Sequence, residues 1–393
     1  MDLKKEIKLS DLLKRPKRAK KPAPALQGSN GKQARSRPRK TKGELVGIKI
    51  GATQLAASRV ANNGSPHVLQ LAREDLPAGV VAGGEVRSVP ALATALDEFF
   101  TKHALPRRGV RLGVATNRIG VRAFEVAGID DDAQLANAVR FRAHEAVGIP
   151  LDQAVLDYKV LSESVDGAGK RSRRILVVAA YRESIDRYTD AFKQAGIELA
   201  GIDLEAFGLL RAVAAPAERP EGGEAALVAV TIGHERTTLA ISDGAVCDFT
   251  RVLEWGGSTL TGAIERQLNI SAAEASELKV GLSLEASTSV EGMGGDRAAQ
   301  AREAVRRELQ TLTRELVASL QFYQGQPGSL AIGEILVSGG TSRMPGLPEE
   351  LERLTRVRVR RADPLVRAKV ADSVAAGEDL PSFAVAIGLG VED

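Results

Sequence analysis

A strand, a glycine turn and a returning strand occur twice in this chain, in the same order. Residues 44–50 (ELVGIKI) put Val46, Ile48 and Ile50 on one face of a buried strand. Gly51-Ala52-Thr53-Gln54 turns it into a second strand at 55–60, and Asn62-Asn63-Gly64 leads to a third at 67–72. The second occurrence runs 226–232 (ALVAVTI), Gly233-His234-Glu235-Arg236, 237–242, Asp243-Gly244 and 245–252. Repetition of a whole supersecondary unit predicts two lobes of related build. The length of 393 residues agrees with two domains.

The first occurrence continues into a helix at about 90–103 and a strand at 109–116, a βββαβ start organised like half of an actin-type ATPase lobe. Residues 117–205 read as an inserted unit. It holds a strand at 120–126, a helix over 131–146 between Asp130–Asp132 and Gly148-Ile149-Pro150, and strands at 154–162 and 174–181. A helix at 183–195 and a strand at 197–203 are read as closing it. Residues 213–225 are a linker by composition. Helices then follow at 258–268 and 271–281, the latter opened by a Ser271/Glu274 capping box. After a loop at 285–296 comes a long helix, 297–323, whose apolar residues step by three or four from Ala298 to Tyr323. A strand at 334–338 runs into Gly339-Gly340-Thr341, and a last helix starts near Gly346.

The net charge of +4 conceals a split. Residues 1–43 hold fifteen Lys or Arg against three acids (Asp2, Glu6, Asp11), while the remaining 350 residues hold 39 bases against 47 acids. A basic tail therefore precedes an acidic body, and the overall balance does not make the body a nucleic-acid binder. Residues 16–43 are Pro-, Lys- and Arg-rich and too poor in large apolar side chains to order themselves. Residues 5–14 (KEIKLSDLLK) can form a short amphipathic helix for an anionic membrane surface or a partner; a solvated leader is the plain alternative. No aromatic residue interleaves with these bases, so nucleic acid is not the expected partner. The lone Cys247 excludes an internal disulfide and a cysteine-based zinc cluster, and is expected to be a buried small apolar residue. No apolar run approaches a membrane span, and no secretory core follows the first residues, so the cytosol is the expected compartment.

Three glycine turns, at 51–54, 233–236 and 339–341, each follow an apolar strand. Glycine allows backbone N–H groups to approach phosphate closely, and successive N–H groups form an anion-binding concavity. Two such hairpins facing each other across a cleft can clamp the phosphates of a nucleotide, and the Gly-Gly turn at 339–340 can meet its adenosine.

In this arrangement the chain resembles the type IV pilus assembly protein PilM family, within the FtsA/actin/Hsp70 superfamily. The resemblance covers nearly all of 44–393. It is carried by GIKIGATQL (47–55), the segment from Val121 to Leu161 with its helix, GIP and LDYKVL, GIELAGIDLEAFGLLRAV (196–213), VTIGHERTTLAI (230–241), the segment 256–282 and ILVSGGTSRMPGLPEEL (335–351). It implies an α/β, bilobed actin-like (ribonuclease H-like) ATPase fold with duplicated βββαβα lobes and an inserted 1C (SHS2-like) subdomain. The implied division is 44–117 as subdomain 1A, 118–200 as 1C, 201–213 as a return to lobe 1, 214–225 as linker and 226–393 as the second lobe (2A and 2B). It also implies ATP or ADP in the central cleft, a PilN-like membrane protein bound through its cytoplasmic N-terminal segment, a link to the pilus motor ATPases, and a place at the inner face of the cytoplasmic membrane.

The residues expected around nucleotide are Lys49, Gly51, Ala52, Thr53 and Gln54 from the first hairpin, and Gly233, His234 and Thr237 from the second. Gly256, Gly257, Ser276 and Lys279 are expected from the following helices, and Gly339, Gly340 and Thr341 from the late turn. In the family both hairpins carry Asp two residues before the turn glycine, to organise Mg²⁺. Here those positions are Lys49 and Thr231, and Ser276 replaces a usual Glu. Mg²⁺ prefers hard oxygen ligands, which Lys49 is not. Two outcomes follow: Lys49 meets phosphate as a point charge in place of the metal, or the cleft has lost nucleotide. Little or no hydrolysis is expected in either case. An FtsA-like membrane-tethered cytoskeletal protein and an active ATPase or kinase of the superfamily are the alternative functions.

Overall fold

The computed structural model describes residues 43–392 except 130, 151, 166, 168, 215–224, 245, 286–294, 327, 372–373 and 375–378. The basic tail, most of the linker and most of the 285–296 loop lie outside the described residues.

The chain opens with β1 (Glu44–Ile50), β2 (Gln54–Ala61) and β3 (His67–Asp75). A small hairpin, β4 (Val81–Ala82) and β5 (Glu85–Val86), leads to α1 (Val89–Lys102) and β6 (Val110–Val114). Ser88 caps α1 by accepting from the Ala91 amide, with proline in its first turn, and His103 ends the helix. Then come β7 (Ile119–Ala127), α2 (Asp132–Val147), β8 (Ala154–Val165), β9 (Arg171–Tyr181), α3 (Arg182–Gln194), β10 (Leu199–Leu204) and α4 (Glu205–Val213). The second half holds β11 (Ala225–Ile232), β12 (Thr237–Ser242), β13 (Cys247–Leu253), α5 (Gly257–Leu268), α6 (Ala272–Gly281) and α7 (Gly295–Gln324). It ends with β14 (Ala331–Ser338), α8 (Leu347–Thr355), β15 (Val359–Arg361), β16 (Lys369–Val370) and α9 (Ala384–Gly390).

The duplication is explicit in the two large sheets. One is ordered β10-β6-β1-β2-β3-β16, the other β13-β12-β11-β14-β15. Superposing β1 on β11 matches β2 with β12, β3 with β13, β6 with β14 and β10 with β15. The directions agree too: β1·β2 and β11·β12 are antiparallel, whereas β1·β6 and β11·β14 are parallel. Each lobe has its own core. Ile48, Ile50, Leu112 and Leu92 belong to the first, and Val228, Val230, Leu260 and Leu309 to the second.

The insert is smaller than the sequence suggested. Its three strands, ordered β7-β9-β8, pack on α2 around Leu135, Val139, Ile175 and Val177. Helix α3 and strand β10, read as closing this unit, belong to the first lobe instead. β10 pairs in parallel with β6, and α3 buries Ile185, Tyr188 and Phe192 in the first core. The C-terminal segment, assigned by sequence to the second lobe, also returns: β16 pairs with β3, and α9 packs on β1 and α4. The contact between α9 and α4 is backbone to backbone; a Cβ on Gly388 would lie 1.7 Å from the Gly208 carbonyl oxygen. Only residues without a side chain allow that approach.

Candidate functional site

The strand–turn–strand units face one cleft. In each, the turn glycine donates to the carbonyl three residues on: Gly51 N–H to Gln54 at 2.8 Å, and Gly233 N–H to Arg236 at 2.8 Å. The late turn is pressed against the second hairpin. Gly339 has φ 87° and ψ 167°, and a Cβ there would lie 2.5 Å from the Ile232 carbonyl oxygen. The start of α5 is equally close, with Gly257 N–H donating to the Gly233 carbonyl at 2.9 Å and Ser258 N–H to the His234 carbonyl at 2.7 Å. Thr341 Oγ1 donates to the Gly233 carbonyl at 3.2 Å. The second hairpin, the late turn and the start of α5 thus fit together as one backbone-lined wall.

Of the residues expected around nucleotide, Lys49, Gly51, Ala52, Thr53 and Gln54 line the cleft on one side. Gly233, His234, Gly257, Lys279, Gly339, Gly340 and Thr341 line it on the other. Three do not. Thr237 is buried behind the hairpin and donates to the Trp255 carbonyl at 2.8 Å. Gly256 sits behind the turn, where a Cβ would lie 2.4 Å from the His234 carbonyl oxygen. Ser276 is on the solvent face of α6, a turn away from Lys279.

The floor holds a group the sequence reading missed. Glu205 begins α4, is 4% exposed, and its Oε2 lies 3.1 Å from Lys49 Nζ. Strand register explains the meeting. Lys49 on β1 is level with Gly113 on β6, which is level with Asp203 on β10. Gly113 has no side chain to stand between them; its Cβ would lie 3.3 Å from Glu205 Cγ. The available signal was an acid at the strand-to-helix junction of IDLEAF, where a helix N-terminus favours a carboxylate.

Arg73, Glu235, Arg236 and Arg343 also line the cleft. Arg73 bonds to Ser382 and lies over the Phe383 ring at 4.4 Å. Glu235 accepts from the Gly83 amide of the opposite lobe at 2.9 Å. Lys279 Nζ donates to the Gly257 carbonyl at 2.9 Å and to Thr261 Oγ1 at 2.8 Å, and burial lowers its pKa. Burial, and then the charge of Lys279, hold the His234 imidazole below its ordinary value. Cys247 is buried and its thiol is pushed up to about 12, in keeping with a packing residue.

A nucleotide fits this donor set: backbone amides from three glycine turns, with lysine and arginine side chains around them. A divalent cation is offered less: Glu205 is occupied by Lys49, and Thr231 supplies only a hydroxyl at the matching position of the second hairpin. A second cavity lies between the insert and both lobes, lined by residues such as Lys159, Asp203, Phe207 and Cys247. It has none of the glycine turns that gather amides in the cleft.

The duplicated sheets around one cleft define the class as actin-like. Solved structures agree on this. Spiroplasma citri MreB5 bound to AMPPNP matches 88% of this chain and 94% of its own, with TM-score 0.53 at 13% identity, a likeness of fold. The model of the family "Type IV pilus assembly protein PilM" matches residues 47–393, and the chain belongs to that family. A structure of a PilM–PilN type IV pilus biogenesis complex matches 90% of this chain and all of its own, with TM-score 0.74 and 26% identity. Cell division protein FtsA of Neisseria meningitidis serogroup B is 25% identical over 312 residues, 71% of this chain and 72% of its own length. FtsA of Pseudomonas aeruginosa is 26% identical over 349 residues, 80% and 82%.

Proposed function

We propose that this actin-like protein is a nucleotide-responsive adaptor in type IV pilus assembly, or in a related type II secretion-like machine. It captures the cytoplasmic N-terminal segment of a PilN-like membrane protein and passes nucleotide state between that protein and the motor ATPases. The observation that carries this reading is the end-to-end match to a PilM solved in complex with PilN. No helix among the described residues is long and apolar enough to cross a membrane. In this reading the protein sits at the inner face of the cytoplasmic membrane through its partner, with the basic residues 1–43 adding attraction to anionic lipid. ATP or ADP sits between the hairpins at 51–54 and 233–236, with Gly339–Thr341 and Lys279 on the adenosine side. Glu205 is held by Lys49 rather than facing a water or a metal, and the reading includes weak or absent turnover.

The test is a titration of the full chain with a synthetic peptide of the cytoplasmic segment of the PilN-like protein encoded beside it. Saturable binding, altered by ATP, is expected. No binding with or without nucleotide overturns the reading. The FtsA relatives favour a second reading, a tether that polymerises. Sedimentation with ATP in the absence of lipid separates the two: the adaptor is expected to stay in the supernatant, and a polymerising tether to pellet.

A further inference from the structure

We infer that the cleft binds the phosphates of its nucleotide without a divalent cation, and that Lys49, held by Glu205, is the built-in counter-charge. This rests on the nucleotide reading above and concerns the chemical form of the ligand: the metal-free nucleotide rather than its Mg²⁺ complex.

Three observations converge. First, the Lys49–Glu205 pair is sheltered, with side-chain exposures of 19% and 5% and a separation of 3.1 Å. The ammonium is pinned at the foot of the first hairpin, two residues before its turn glycine, rather than free to swing into solvent. Second, among the described residues the two carboxylates lining the cleft are engaged, Glu205 by Lys49 and Glu235 by the Gly83 amide. A hydrated metal needs anionic oxygens for its own ligands or its waters, and here it would find an ammonium in their place. Third, the remaining cations exceed what the cleft neutralises internally. Among the described residues Lys279 has a carbonyl and a hydroxyl as hydrogen-bond partners. Arg236 reaches across to the opposite lobe, where a Cβ on Gly84 would lie 1.6 Å from its Nη1, and that buried nitrogen has no hydrogen-bond partner among the described residues. Arg343 shares the single carboxylate of Asp379 with Arg361, at 3.8 and 2.7 Å. A positively charged cleft complements a polyphosphate carrying its full negative charge, and a metal bound to that polyphosphate would cancel the charge the cleft is built to meet.

The experiment is a calorimetric titration of the full chain with ATP, in EDTA and in excess Mg²⁺. The wild type is expected to bind ATP in EDTA at least as tightly as in Mg²⁺. Lys49→Met, which removes the charge at similar volume, is expected to lose about tenfold or more in EDTA, the size of one charge-assisted contact. Lys49→Asp sets a carboxylate beside Glu205 and is expected to bind only in Mg²⁺; the Met variant stands if the Asp variant does not fold. Wild-type binding that requires Mg²⁺ overturns the inference and leaves the nucleotide reading intact. Unchanged EDTA affinity in Lys49→Met overturns the role of Lys49. Absence of binding in both buffers overturns the nucleotide reading and the inference with it.

Discussion

The hairpin at Gly51 and the hairpin at Gly233 are copies in backbone and strangers in chemistry. Each turn closes with the same glycine N–H to carbonyl bond at 2.8 Å, and each leading strand pairs antiparallel with its return and parallel with the next strand of its sheet. Two residues before the glycine, one copy has Lys49 in an ion pair with Glu205, and the other has the buried, neutral Thr231. The backbone of such a turn is fixed by sheet register and by glycine, so it tolerates change at the floor. The floor sets which charge the cleft presents, and it has diverged without disturbing the frame.

The surroundings of the two turns differ as well, and substitution sharpens that difference. The first hairpin is held from its own sheet, where the Leu76 N–H donates to the Thr53 carbonyl at 2.8 Å, whereas the second is braced by the late turn and by α5. Gly339→Ala forces a side chain into a backbone conformation held almost only by glycine, against the Ile232 carbonyl. It is expected to lower stability by about 3 kcal/mol, read from denaturant unfolding. Gly51→Ala meets only the Gln54 carbonyl oxygen, at 3.2 Å, and is expected to stay within about 1 kcal/mol of wild type. Equal losses at both sites would break the comparison.

The floor gives the next largest effect. Glu205→Gln strands the Lys49 ammonium in a sheltered site and should cost about 2 kcal/mol in a thermal or denaturant melt. Thr231→Val, on the second copy, should cost less than about 1 kcal/mol. Lys279→Ala is expected to weaken ATP binding about fivefold, close to 1 kcal/mol, without a matching loss of stability, because among the described residues its ammonium contacts one carbonyl and one hydroxyl.

The smallest effect is a titration. His234 is held below the ordinary imidazole value of 6.5 by burial and by Lys279. Between its lowered value and 6.5 the folded protein binds fewer protons than the unfolded chain. The contribution of His234 is therefore fully present above 6.5 and is lost as pH falls through that window. NMR should show the imidazole titrating below 6.5 in the free protein and moving upward when phosphate is bound, since a nearby anion favours the imidazolium. A free-protein value above 6.5 would contradict the crowding of His234 by Lys279.

The same contrast explains what the sequence made legible. Alternating apolar residues and glycine turns are local signals, so both hairpins, the Ser271 cap of α6 and the long face of α7 were readable within a residue or two of their ends. Strands of two or three residues, such as β4, β5, β15 and β16, leave too short a pattern to detect. Helix α9 is apolar on every side and fully buried, so its sequence specified burial without saying which lobe supplies it. Tyr188 and Phe192 announced a buried face on α3 but not that α1 and the first-lobe core would cover it. The missed member of the site, Glu205, lies 156 residues from Lys49 along the chain; the pair is made by the register of three parallel strands and by the absent side chain of Gly113. Thr237 and Ser276 mark the converse case. Position along a motif placed them near the cleft, while strand alternation and helix phase turned them away from it.

Hydrogen exchange of the full chain with and without ATP, followed by mass spectrometry, tests the central claim most directly, because it reads the amides of both hairpins at once. The account predicts ATP-dependent protection at Gly51–Gln54, Gly233–Arg236 and Gly339–Thr341, present in EDTA. Protection of only one hairpin, or of neither at saturating ATP, would contradict it.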